Sequence, residues 1–422
     1  MSEKFITANN YCREVFDGTH DTPKPSEYGY KLVTSKNIIG NKLDLNSAYL
    51  ISQEDYLAIN KRSKVSQFDV LFSMIGSVGN VYIEQRKNEE IDYSIKNLGV
   101  FSSKTEKEAY WLYYYLQSPY AQSFIKKFLN GAVQKFLPLQ TLRAFPILSP
   151  IENYESIICI LKNIDQKIAL NNQINEELEA MAKTLYDYWF VQFDFPDENG
   201  NPYKSSGGKM VYNDQLKREI PEGWGVKRVS EVAKTGSGGT PKSTINEYYS
   251  NGKIPWINSG ELNKSIIIST TNYITERGLE NSSAKLFPAN SILIAMYGAT
   301  AGKVSFLTFE SSTNQAICAV TLDDSRLKYY FKFFIEDLYL HLVTLSSGSA
   351  RDNLSQELIR NLLMTLPDDR VVENFFTIVN TYFLQITNNL KQNQELTQLR
   401  DWLLPMLMNG QVKVEEKCRG VK

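Results

Sequence analysis

The stretch Ile157-Leu161-Ile164-Ile168-Asn171-Asn175-Leu178-Ala182-Leu185-Trp189 advances by four and three residues in alternation, the spacing of a helix seam with one narrow apolar face. Only its two asparagines interrupt that face. No proline or glycine falls inside the run, and breakers follow in Phe195-Pro196-Asp197 and Gly200-Asn201-Pro202. The spacing predicts one long helix, about 50 Å at about 1.5 Å per residue. The pattern returns 218 residues later as Phe375, Val379, Tyr382, Ile386, Asn389, Asn393, Leu396, Arg400, Leu403 and Leu407, with two asparagines in the same register. A matched pair of long helices is implied.

The polar seam positions also suggest how the pair faces itself. If the helices run antiparallel about residues 173 and 391, Asn171 comes opposite Asn393, Asn175 opposite Asn389, and small Ala182 opposite bulky Tyr382. Leu178 and Leu396 then resume the apolar seam beyond each asparagine pair. A buried asparagine costs stability but fixes register, because a misaligned partner strands its amide among apolar groups. The alternative is that these asparagines sit on a wet edge. Their repetition in both helices favours pairing.

With 422 residues, 42% of them hydrophobic and 12% aromatic, the chain has enough material for two or three globular domains. Four dispersed cysteines without a Cys-x-x-Cys, and only two histidines, argue against a zinc site or a disulfide framework. A reducing cytoplasm is the simplest expected location. Neither a signal peptide nor an apolar run long enough for a bilayer is evident. The net charge of −1 conceals an uneven distribution: residues 1–150 carry 18 basic and 15 acidic groups, 151–204 carry 4 and 10, and 205–367 carry 17 and 15. Mild basicity is compatible with phosphate contact without requiring it.

Residues 1–150 and 205–367 look like two copies of one plan. Gly18-Thr19-His20-Asp21-Thr22-Pro23-Lys24 parallels Gly236-Ser237-Gly238-Gly239-Thr240-Pro241-Lys242, and Val33-Thr34-Ser35 parallels Ile257-Asn258-Ser259. Phe68 to Gly76 matches Asn290 to Gly298, each reading as a strand that runs into a glycine turn, and Asn97 matches Asn314. Short β-branched and aromatic runs dominate each copy, with one helix-like aromatic stretch (Ala109 to Leu116; Tyr329 to Leu338) and a long helix after it. The expected class is α+β: two similar mixed α/β units separated by two long antiparallel helices, a pseudo-twofold internal repeat. We divide it as 1–150, first unit; 151–195, first helix; 196–220, polar connector; 221–367, second unit; 368–410, second helix; 411–422, tail.

Two tempting motifs fail on inspection. Gly298-Ala299-Thr300-Ala301-Gly302-Lys303 has three residues between its glycines where a phosphate-binding loop needs four, and Val304 stands where a Mg²⁺-binding hydroxyl belongs. Asn201-Pro202-Tyr203 lacks the second proline of the Asn-Pro-Pro-aromatic loop of adenine methyltransferases. No grouping of carboxylates, or of serine with histidine, is convincing as a catalytic centre.

The layout of unit, long helix, similar unit and matching helix resembles the specificity subunit of type I restriction–modification systems. The most specific residues are Asp165-Gln166-Lys167-Ile168-Ala169-Leu170-Asn171-Asn172-Gln173-Ile174-Asn175-Glu176-Glu177-Leu178-Glu179, Tyr188-Trp189-Phe190-Val191-Gln192-Phe193, Ile220-Pro221-Glu222-Gly223-Trp224 and Gly239-Thr240-Pro241-Lys242. The first copy lacks the Ile-Pro-Glu-Gly-Trp lead-in, and its Leu32 stands where the second has Trp256.

The resemblance implies that each unit is a target-recognition domain reading half of a bipartite DNA target. The helices would dock two modification subunits, and restriction subunits would join them. S-adenosylmethionine, ATP and Mg²⁺ would belong to those other subunits, with no cofactor or metal in this chain and no catalysis of its own. A solitary or type II-like methylation system would use much the same subunit, and a coiled-coil adaptor without DNA contact is the rival from another class. Side chains in turn-rich loops are the candidate DNA contacts: Lys24, Ser35, Lys36, Gln134 and Lys135 in the first unit, and Lys242, Ser243, Asn258, Lys303 and Arg351 in the second.

Overall fold

In the computed structural model, which describes residues 5–129, 136–298, 300–345, 354–412 and 414, with backbone alone for 340–345, the chain forms two compact units. One comprises Met1–Ile168 with Glu395–Lys422, the other Ala169–Gln394. The division falls within both long helices, so each helix gives one half to each unit.

The first unit is built on an antiparallel sheet of Glu14–Asp17, Leu98–Ser102, Val70–Ser73 and Val81–Ile83, in that spatial order. Its inner strand explains why the sequence runs Val70-Leu71-Phe72 without a polar break. Successive side chains of a strand point to opposite faces. Val70 and Phe72 enter one core with Trp111, Leu112 and Ile157, whereas Leu71 enters a second with Val33, Ile95 and Val100. A strand buried on both faces has no solvent side to mark. The second core lies under a smaller sheet ordered Tyr49–Ile51, Tyr30–Val33, Tyr93–Ile95, in which the last two strands run parallel.

Helix Glu106–Gln117 starts at Thr105, whose hydroxyl accepts from Glu108 N while Glu108 reaches back to Thr105 N. All eight residues from Ala109 to Leu116 are buried. Its polar tips are satisfied individually: Trp111 Nε1 donates to Leu148 O (2.7 Å), Tyr115 Oη to Pro146 O (2.7 Å) and Tyr114 Oη to Asp165 (2.9 Å).

The second unit repeats this plan. Its main sheet orders Ala233–Ser237, Ile317–Leu322, Ile292–Ala295 and Val304–Leu307, with Ile266–Ile267 added at the edge. Ile292 and Ile294 face one core, Leu293 and Ala295 the other. Ile254–Ile257 runs parallel to Ser311–Thr313, and the aromatic helix is Lys328–Leu345. Phe68 and Asn290, matched in the repeat, share the left-handed conformation (φ 66° and 70°), as do Gly76 and Gly298 (75° and 85°).

The hydrogen bonds revise two of the sequence matches. Gly18 N donates to Leu98 O and Thr19 N to Ile95 O, while Gly238 N donates to Ile317 O and Gly239 N to Thr313 O. Gly18 is thus equivalent to Gly238 rather than Gly236, and the first unit's loop to its Thr-Pro-Lys is two residues longer. Lys96 N bonds Val33 O and Asn314 N bonds Ile257 O, so Lys96, not Asn97, corresponds to Asn314. Similar letters lay near one another while backbone pairing, which sets register, lay elsewhere.

The long helices span Tyr154–Tyr186, ending in a π-helical turn over Asp187–Val191, and Asp369–Met408. In the second unit Asn171 Nδ2 donates to Asn393 Oδ1 and Gln392 Oε1, both at 2.8 Å; Asn389 Nδ2 donates to Asn175 Oδ1 at 2.9 Å. In the first unit Arg400 Nη1 meets Asp165 Oδ1 at 2.8 Å, and Leu404 and Leu407 share a core with Ile157 and Leu161. Residue numbers rise along one helix as they fall along the other, so the pairing is antiparallel. Ala182 and Tyr382 contribute to one apolar core. Leu178 is half-buried against that core, and Leu396 is half-buried on the other helix.

Replacing Asn171 alone with Leu is expected to lower stability by about 1–3 kcal/mol, because the buried Asn393 Oδ1 loses the Asn171 amide donor while Asn393 Nδ2 keeps Asn172 Oδ1. An Asn171→Leu/Asn393→Leu double variant should recover much of this. Denaturant titration of the four proteins of the cycle checks it; strict additivity would rule out coupling.

Candidate nucleic-acid interface

Parallel pairing builds the polar cleft of the first unit. Val33 lies beside Ile95, so the turn Ser35–Asn37 leaving one strand and Lys96-Asn97 leaving the other emerge together. Thr34 caps the turn, its hydroxyl accepting from Lys36 N (3.4 Å) while Asn37 Oδ1 accepts Thr34 N (2.8 Å). Ser35 Oγ donates to Asn97 O (3.3 Å). Asn97 takes a left-handed backbone (φ 53°), and its Oδ1 lies 3.0 Å from His20 Nδ1, whose Nε2 is 3.1 Å from Asp17 Oδ2. Around this network opens a cleft of about 690 Å³ lined in part by Thr22, Ser35, Lys36, Ile39, Ile75 and Lys96.

In the second unit, close backbone approach shapes the Gly-Gly-Thr-Pro-Lys loop. Gly239 N donates to Thr313 O (2.8 Å), Gly239 O accepts Trp256 Nε1 (3.0 Å) and Pro241 O accepts Tyr249 Oη (2.5 Å). A Cβ on Gly239 would fall 2.3 Å from Ser283 Oγ and 2.4 Å from the Ser283 carbonyl carbon. Only glycine fits without displacing backbone. Gly239→Ala is expected to cost about 1–3 kcal/mol through overpacking, read as a lower denaturation midpoint; an unchanged midpoint would show that the loop yields freely.

The sequence-selected residues separate into distinct places. Ser35 and Lys36 share the first-unit cleft, Ser35 buried and Lys36 exposed. Lys24 is exposed outside its lining. Lys242 and Ser243 are exposed on the pinned loop. Asn258 is half-buried and caps the turn Ser259–Asn263. Lys303 is exposed and lines a different cavity of about 540 Å³, with Lys183, Lys264, Lys332, Glu179 and Glu336 among its other walls. Gln134, Lys135 and Arg351 lie outside the described residues.

That second cavity is dominated by compensated charge. Lys332, its side chain 2% exposed, meets Glu336 at 2.8 Å and Glu179 at 3.6 Å. Burial pushes the Glu336 carboxyl upward against the opposing pull of Lys332. Sequence reading missed Lys96, Asn97 and Ile75 as cleft residues. The aromatic strand Tyr93–Ile95 just ahead of Lys96 was a usable local signal; its parallel partner about sixty positions earlier was not.

Among the described residues no cluster of three or more His, Cys, Asp or Glu side chains could hold a metal ion, and no helix is long and apolar enough to cross a membrane.

A sheet plan that occurs twice along the chain, each time with its own polar loops and each time followed in sequence by a long helix, defines a duplicated scaffold. The family model for the type I restriction modification DNA specificity domain matches twice, over residues 13–180 and 221–398, and the chain belongs to that family. It is similar to the type I restriction enzyme MjaIX specificity subunit of Methanocaldococcus jannaschii, 29% identical over 72% of this chain and 69% of that protein. It is also similar to the HindI specificity subunit of Haemophilus influenzae, 27% identical over 62% and 67% respectively. Among solved structures, the type I S subunit from M. genitalium matches with a TM-score of 0.54 over 96% of this chain and 97% of that one, at 15% identity, a likeness of fold.

Proposed function

We propose that this chain is the sequence-specific DNA-binding subunit of a type I restriction–modification complex, with each unit reading one half of a bipartite double-stranded target. The observation that carries this reading is the duplication itself. Each unit repeats the same order of its four main strands and the same left-handed glycine turn at Gly76 or Gly298. Each also presents exposed basic residues on loops: Lys36 in the first, Lys242 and Lys303 in the second. Two readers on paired helices imply a target with two read segments and an unread spacer.

The chain supplies address rather than chemistry. Two modification subunits would dock along the helices, where Met181 and Leu399, 218 positions apart, are 51% and 43% exposed despite their apolar side chains. Restriction subunits would complete the assembly. S-adenosylmethionine, ATP and Mg²⁺ would sit on those partners, and the cytoplasm is the compartment where the complex would meet cellular DNA. Methylation mapping of DNA from cells that express this chain with its modification partner is the direct test. A bipartite methylated adenine target is expected; methylation without sequence preference would refute the reading.

A further inference from the structure

The turn after the central strand of each unit presents an apolar side chain where solvent would favour a polar one. Ile75 precedes Gly76 and Tyr297 precedes Gly298, both glycines having positive φ, so the two side chains occupy equivalent positions in the repeat. They are 40% and 39% exposed. The Ile75 backbone is also paired with Phe136 by a β-bridge, which fixes the position from which its side chain projects.

The surroundings of Ile75 identify the ligand chemistry. It shares its cleft with Ile39, itself 61% exposed, and with Ser35, Lys36, Lys96 and Asn97. Among the described residues Lys36 makes no ion pair, which leaves its ammonium free for phosphate. Asp44 also lines the cleft, its carboxylate held in a turn by Asn46 N and Ser47 N. Such a carboxylate can accept a base amino group. A cleft that mixes cations, amides, one carboxylate and an apolar pair matches the edge of a base pair and its flanking phosphates. On that edge in the major groove, the apolar group is the thymine C5 methyl.

We propose that Ile75, with Ile39, forms the specificity-determining contact for the C5 methyl of a thymine in the half-site read by the first unit. This rests on the bipartite DNA-reading function above. The experiment uses the chain assembled with its modification subunits and a duplex carrying its mapped target, in which each thymine of the first half-site is replaced in turn by deoxyuridine, which lacks only that methyl. Burying one methyl-sized group is worth about 0.8 kcal/mol, so the wild-type complex should bind about fourfold more weakly at one position and unchanged at the others. A complex carrying Ile39→Asn and Ile75→Asn together, which removes both apolar groups from the cleft, should lose that distinction and bind thymine and deoxyuridine duplexes alike, with its dependence on the second half-site intact.

The exposure of both isoleucines makes the two substitutions compatible with folding, and the Ile75→Asn single variant should narrow the distinction while Ile39 keeps part of it. Equal binding of all deoxyuridine duplexes by the wild type, or discrimination that survives both substitutions, would overturn the proposal. A wild-type complex with no preference for its mapped target would instead overturn the underlying function, and that shows before the deoxyuridine series begins.

Discussion

Exchanging residues 221–367 for the corresponding unit of a related protein should replace one half of the methylated target outright and leave the other half unchanged. The fold supports a clean exchange. Gly225–Arg228, near the start of the second unit, pairs antiparallel with Leu363–Leu366 at its end, Gly225 opposite Leu366. The segment enters and leaves side by side. The core with Leu293 and Ala295 is the segment's own, whereas the one with Ile292 and Ile294 is shared with Tyr186, Phe190, Phe375 and Phe383 of the retained helices, which the incoming unit must also fit. A relative with the same register brings a self-consistent pair of faces. Trp224, packed on Phe190, Phe193 and Phe195 at ring separations of 5.9, 5.5 and 5.1 Å, must be retained by the incoming unit. Methylome mapping reads the result. A change in both half-sites would mean that the units do not read independently.

Adding one heptad to each long helix at matched points, after Asn175 and before Asn389, should lengthen the unread spacer by about three base pairs. Seven residues add about 10 Å of helix, and base pairs repeat at about 3.4 Å. The paired insertion preserves the seam, because Asn171 still faces Asn393 on one side and Leu178 still continues the apolar run on the other. Three base pairs also turn a half-site by about 100° around a duplex of about 10.5 base pairs per turn, so reduced activity is expected alongside the new spacing. An unchanged spacer with good activity, or altered bases within the half-sites, would show that the helices are not the ruler.

What was legible in the sequence follows the range of the forces involved. The long helices were legible because seam spacing is local and repeated over ten positions in each copy. The asparagines were informative because a buried amide demands a specific partner. The strand Val70-Leu71-Phe72 was recognisable as a strand, yet nothing in it told which residue faced which core. The cleft was only half visible. Ser35 and Lys36 stood out in a turn, whereas Lys96 and Asn97 join them through a parallel pairing that closes a long loop and leaves no local mark. The offset between Gly18 and Gly238 escaped notice because a two-residue difference in loop length leaves the Thr-Pro-Lys letters intact while shifting the backbone beneath them.

The side-by-side ends of the units have a consequence for heredity. In the first unit Phe5–Thr7 pairs with Pro146–Leu148, as Gly225–Arg228 does with Leu363–Leu366 in the second. Two genetic crossovers, one outside each strand of such a pair, transfer a unit together with both of its margins and leave the helix codons untouched. A cell population that carries this gene could thereby acquire a new DNA address by recombination, without waiting for point mutations that would each have to preserve a working reader.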